Sequence, residues 1–91
     1  MGQALLIVRH SVEDYPAWRE VYETVEPIRQ QFGCTAKSVW QDPANPNDVT
    51  VLHYWPSVEQ AAAFANSAGL QEAMGRAGVA GPPRLEIVAE A

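Results

Sequence analysis

The sequence predicts an α+β domain in which one antiparallel sheet of four strands carries its helices on a single face, in the order βαββαβ. Three observations predict it. Four stretches alternate apolar and polar residues with a period of two, and two longer stretches repeat apolar residues at helical spacing. A run of breaker residues, Asp42 to Asn47, falls between the two middle strands and reads as a hairpin turn. Ninety-one residues suffice for one domain, 1–91, and no internal linker, repeat or low-complexity segment divides it.

The first strand, Ala4 to Val12, is rich in branched aliphatics. Its faces are Leu6, Val8, His10, Val12 and Leu5, Ile7, Arg9, Ser11. The first set is apolar to its end and is assigned to the helix side. Asp14 then stands at an N-cap position with Pro16 in the first turn, and Tyr15, Trp18, Tyr22, Val25, Ile28 and Phe32 follow at helical spacing. Pro27 lies inside this helix and predicts a kink near Glu26; Gly33 ends it.

Cys34 to Gln41 reads as the second strand and Asp48 to Trp55 as the third, with Val49, Val51, His53 and Trp55 on one face and Thr50, Leu52 and Tyr54 on the other. Ser57 followed by Gln60 is a capping pair that starts a helix near Val58. Val58, Ala61, Ala62, Ala65 and Ala68 form its stripe beside Phe64; Gly69 is expected to interrupt it, and Leu70, Ala73, Met74 and Ala77 resume. Gly75 and Gly78 serve as exits. Gly81-Pro82-Pro83 cannot continue a helix, so the last strand is expected to begin after Pro83, over Arg84 to Glu90.

Two βα units joined by a hairpin give the ferredoxin-like arrangement. The helix-free face would carry Leu5, Ile7, Leu52 and Tyr54, so a second sheet is expected to cover it, making a homodimer that closes a two-subunit α/β barrel. Size agrees, because folding a 10.0 kDa chain hides only roughly 64% of its unfolded surface. The formal charge of −5, with scattered basic residues, opposes a nucleic-acid partner. Lone Cys34 allows no intrachain disulfide, and with neither a leader nor an apolar membrane-length run the expectation is a cytoplasmic protein without a membrane partner. Met1-Gly2 opens no acylation motif, since position six is Leu.

The segment His10-Ser11-Val12-Glu13-Asp14-Tyr15 with Trp18, the hairpin flanks Asp42-Pro43 and Asn47-Asp48, and Val51 to Trp55 with Phe64, Ser67, Leu70, Met74 and Ala77-Gly78-Val79 resemble the dimeric α/β-barrel superfamily. Within it, the chain is similar to the small antibiotic-biosynthesis-monooxygenase-like proteins. That resemblance implies a small-molecule enzyme of the cofactor-independent monooxygenase or cyclase type, with no cofactor, acting on a phenolic or polyketide-like compound. The superfamily's haem-degrading members carry a Trp where this chain has Phe64 and a haem-ligating His where it has Met74, so the resemblance does not extend to haem chemistry.

His10 is the candidate catalytic residue, an imidazole on an otherwise apolar strand face that can take a proton from a phenol or enol. The plainer reading is a core histidine bonded to its neighbours. Trp18, Tyr22, Phe64 and Met74 are the candidate substrate-binding residues, and Trp40 and Trp55 are further candidates for lining a cavity; at helical or strand spacing such residues are more often plain core. His10 and His53 are expected four rungs apart, about 13 Å, too far to share a metal. Arg9 and Arg84 are candidates for steering an anion. From a different class, a non-catalytic dimeric module that binds an apolar ligand or joins an assembly, and a collapsed barrel without a cavity, fit the same residues.

Overall fold

The computed structural model describes residues 2–91; Met1, the start of the rejected acylation motif, lies outside them. The described residues form β1 (Ala4–Val12), α1 (Tyr15–Thr24), α2 (Glu26–Gln31), β2 (Ala36–Asp42), β3 (Asn45–Trp55), α3 (Val58–Ala65), α4 (Ala68–Arg76) and β4 (Val79–Ala89). The strands make one antiparallel sheet in the order β2-β3-β1-β4. This is the α+β, ferredoxin-like βαββαβ arrangement, each α unit being a broken pair of helices.

The core lies between the helices and the face of β1 that carries Leu6, Val8, His10 and Val12, as the alternation predicts. Val49, Val51, His53 and Trp55 extend that face on β3, and Trp18, Tyr22, Val25, Ala61, Phe64, Ala73 and Ala77 descend from the helices. Each large apolar side chain so buried contributes roughly 1.5–3 kcal/mol. On the other face Leu5, Ile7, Leu52 and Tyr54 are half-buried, Trp40 is 59% exposed and Val88 is 47% exposed.

The first helix breaks at Val25, just before Glu26 and Pro27, because proline cannot donate to the carbonyl one turn back. Gly33 ends the second piece at φ 94°, in the left-handed region that glycine adopts without penalty. Asp14 occupies the N-cap position of α1 but makes no side-chain cap bond. Asn47 Oδ1 accepts from the Tyr15 amide instead (3.0 Å), so the cap comes from β3.

Four further expectations change. The hairpin turn is shorter than Asp42 to Asn47: Asp42 pairs with Asn45, and Asp42 Oδ2 accepts from the Ala44 amide (3.0 Å), which closes the turn over Pro43-Ala44. The second strand accordingly runs Ala36–Asp42. The break in the second helical unit falls at Asn66–Ser67, where Ser67 Oγ caps α4 through the Leu70 amide (3.2 Å). Gly69 lies inside α4 because a Cβ there would sit 2.8 Å from Ile28 Cδ1; it permits close packing and does not interrupt the helix.

Finally, β4 begins at Val79 and not after Pro83. Arg9 of β1 faces Arg84 while Ser11 faces Ala80, so residues 81–83 bulge out opposite His10. Prolines are accommodated because β4 is an edge strand and the bulge needs no ladder donor from them.

Candidate active site

His10 is carried by β1 opposite Val49 of β3, and His53 lies opposite Leu6, so the two imidazoles stand four residues apart along β1 as expected. His10 is 6% exposed and neither ring nitrogen has a hydrogen-bond partner among the described residues. Trp18 meets its ring edge-on, with centroids 5.6 Å apart. Burial lowers the pKa of His10, a shift that the Asp48 carboxylate partly opposes, so the neutral form of the ring is favoured.

From Trp18 the aromatic contacts continue inward. Trp18 and Tyr22 stack at 5.0 Å, Tyr22 and His53 lie nearly parallel at 5.9 Å, and Phe64 packs edge-on against His53 at 5.6 Å. The Tyr22 hydroxyl and His53 Nε2 share a hydrogen bond of 3.0 Å whose direction follows the imidazole tautomer. Burial raises the Tyr22 pKa to about 12, and burial, followed by the Arg29 and Lys37 charges, lowers that of His53 to about 3. Both groups are therefore neutral at ordinary pH. His53 Nδ1 and Trp55 Nε1 are also buried without partners among the described residues.

Behind this stack lies Arg29, 1% exposed. Its guanidinium sits 4.1 Å from the Tyr22 ring centroid, donates from Nη2 to the Tyr22 carbonyl (3.0 Å) and from Nε to Glu26 Oε1 (3.0 Å). Glu26 is shared with Lys37 Nζ at 2.7 Å, and these partners, Lys37 foremost, hold its carboxyl down at about 2. Arg29 was legible in principle: Trp18, Tyr22, Val25 and Arg29 form an i, i+4, i+7, i+11 stripe, and a cation on that stripe is anomalous. Apolar Ile28 and Phe32, also at helical spacing in this stretch, mask it.

Val8, His10, Trp18, Tyr22, Arg29, Val51, His53, Phe64, Leu70 and Met74 are among the residues around one cavity of about 40 Å³. It is room for two or three waters and smaller than a typical ligand pocket. Half-buried Val21, Leu70 and Met74 separate it from the surface between α1 and α4. The structure thus brings together His10, Trp18, Tyr22, Phe64 and Met74, the five site candidates. It does not bring Trp40, which stands on the open sheet face, or Trp55, which packs at 4.9 Å on Phe64 beneath the cavity lining. Arg9 is held by Asp48 (2.8 Å) and Arg84 by Glu86 (3.2 Å), so neither is an unpaired guide for an anion. Cys34 is half-buried, and burial raises its pKa, which disfavours a thiolate. Among the described residues no three His, Cys, Asp or Glu side chains gather as metal ligands.

The family described as Antibiotic biosynthesis monooxygenase matches residues 12–76. The chain belongs to that family. A comparison with curated proteins gives no match. Among solved structures, a Bordetella bronchiseptica protein provisionally described as an antibiotic biosynthesis monooxygenase superposes with a TM-score of 0.82 at 18% identity, covering 100% of this chain and 99% of that one. A conserved protein from Methanosarcina mazei Go1 gives 0.78 at 16% identity, over 97% and 92%. SnoaB, a cofactor-independent oxygenase from Streptomyces nogalater, gives 0.75 at 8% identity, over 100% and 93%. At these identities the likeness is one of fold. Among the described residues no helix is long and apolar enough to cross a membrane.

Proposed function

We propose that this member of the family is a homodimeric, cytoplasmic enzyme of the cofactor-independent monooxygenase type, acting on a phenolic or polyketide-like aromatic compound. One observation carries the reading: a buried, neutral imidazole, His10, has no partner for either nitrogen among the described residues and borders a cavity walled by aromatic side chains. Buried polar groups are ordinarily satisfied, and the exceptions concentrate at functional sites.

His10 takes the proton of a phenol or of an acidic CH₂ flanked by rings. The resulting anion is electron-rich enough to reduce O₂ directly. For a phenol unsubstituted at the para carbon, one oxygen atom of O₂ becomes the new quinone carbonyl and the other leaves as water. The substrate supplies all four electrons, and its two lost hydrogens appear in that water. Trp18, Tyr22, Phe64 and Met74 hold the flat ring, and Met74, unbranched and half-buried, can swing to admit it.

The homodimer rests on the open sheet face, where Leu5, Ile7, Leu52, Tyr54, Trp40 and Val88 make an apolar surface too large for a lone 10.0 kDa chain to leave uncovered. Light scattering at micromolar concentration should give twice the chain mass; a monomer overturns the barrel. The free thiol of Cys34 suits a reducing compartment.

The small cavity favours a second reading, a non-catalytic dimeric module. Oxygen uptake with a panel of hydroxylated aromatics separates the two. Catalysis predicts uptake that His10→Ala abolishes without lowering Tm by more than a few degrees. No uptake with any member, or uptake unchanged in the variant, removes His10 from the chemistry.

A further inference from the structure

The cluster at one end of the cavity, in which Arg29 is buried and Glu26 and Lys37 are partly exposed, has an excess of positive charge. Arg29 and Lys37 bear two cations, and Glu26, bonded to both, is the anion in contact with them. Tyr22 and His53, which line the cavity together with Arg29, are neutral. The bonds from Nε to Glu26 and from Nη2 to the Tyr22 carbonyl leave Nη1 as the donor they do not use. At the other end, near His10, the nearby charge is the Asp48 carboxylate, itself paired with Arg9. The cavity is therefore polarised along its length, positive at Arg29 and closer to negative at His10.

We infer that the cavity binds an aromatic ligand as an anion, with a carboxylate or acidic phenolate oxygen directed to the Arg29–Tyr22–His53 end and the ring lying between Trp18 and Phe64. This rests on reading the cavity as a substrate site, and it adds the charge state and orientation of what is bound. The orientation is consistent with His10 chemistry, because it leaves the opposite edge of the ring, the one to be deprotonated, at the imidazole. A buried guanidinium is a strong donor in a medium where water does not compete, and a neutral ligand would leave its excess charge unanswered.

Binding to the whole protein, read by quenching of Trp fluorescence, tests this with a matched pair of probes: 2-hydroxybenzoate, ionised at pH 7, and 2-hydroxybenzamide, which has nearly the same shape and no charge. A charged in place of a neutral hydrogen-bond partner should make the benzoate bind about tenfold more tightly. Arg29→Met should bring the ratio to about one. Glu26→Gln, at a half-exposed position, should raise benzoate affinity about threefold and leave the amide unchanged. If Arg29→Met fails to fold, the wild-type ratio and the Glu26→Gln shift still decide the matter. Equal affinities, no binding of either probe at millimolar concentration, or a preference that survives Arg29→Met overturns the inference. Oxygen uptake plays no part in this titration, so a chain that prefers the benzoate but consumes no oxygen loses the proposed reaction and keeps the anion site.

Discussion

Tyr22 on α1 and His53 on β3 meet through a 3.0 Å hydrogen bond, although 31 residues separate them in the chain. The contact joins the helix layer to the sheet beside the cavity, and the Arg29 guanidinium packs against the Tyr22 ring at 4.1 Å from its centroid. It holds two neutral polar groups in the core, His53 Nε2 bonded and Nδ1 not, whereas His10, four residues along β1 at the other end of the aromatic contacts, has no such partner among the described residues. One imidazole has a side-chain partner and, among the described residues, the other has none.

Tyr22→Phe keeps the stack with Trp18 and the cation contact with Arg29 but strips His53 Nε2 of its partner. An unsatisfied buried polar group costs about 1–3 kcal/mol, so urea unfolding should show a loss in that range with an unchanged m-value. A loss below about 0.5 kcal/mol would mean that the bond contributes little in solution.

His10→Phe should have the opposite sign. Replacing an unpartnered buried imidazole with an apolar ring removes a desolvation penalty, and a gain of about 1 kcal/mol is expected, with loss of any oxygen uptake. A marked fall in Tm would mark His10 as a bonded core residue.

Stability should depend on pH through both histidines. His53 is lowered to about 3 by burial and by Arg29 and Lys37, against Glu26, and His10 is lowered by burial against Asp48. Between pH 6.5 and about 3 the unfolded chain therefore binds more protons than the folded one, and stability falls as pH falls. Each such proton contributes a slope of up to about 1.4 kcal/mol per pH unit. Glu26, lowered to about 2 by Lys37 and Arg29, adds a loss of the same sign below pH 4.5. Thermal melts from pH 7 to 4 should show a steady decline, and His10→Phe should flatten its upper part.

Helix α1 should depend on Asn47 more than on Asp14. Asn47→Ala removes the bond to the Tyr15 amide and is expected to cost about 1 kcal/mol, whereas Asp14→Ala, which breaks no cap bond, should stay within about 0.5 kcal/mol. The reverse order would restore the local cap that the sequence suggests.

Much of the fold was legible in the chain because its signals are local. Period-two alternation placed the helix-facing residues of β1 and β3, Pro27 placed the helix break, and the Ser57–Gln60 pair placed the start of α3, where Ser57 Oγ does accept from the Gln60 amide. Where local signals erred, a distant partner had overridden them. Gly69 reads as a breaker until Ile28 is seen against it, and Gly81-Pro82-Pro83 reads as a strand's outer limit until the bulge opposite His10 is seen.

By itself, then, the sequence determined the order of the elements, the face of β1 on which His10 lies and the aromatic character of what surrounds it, since these follow from residue periodicity. Only the tertiary structure decided which polar groups find partners. Among the described residues the same residue type finds a partner for one ring nitrogen at His53 and for neither at His10, and Arg29 is drawn out of solvent against Tyr22, because burial and hydrogen bonding depend on what the far strands and helices bring to each atom, a quantity no local pattern encodes.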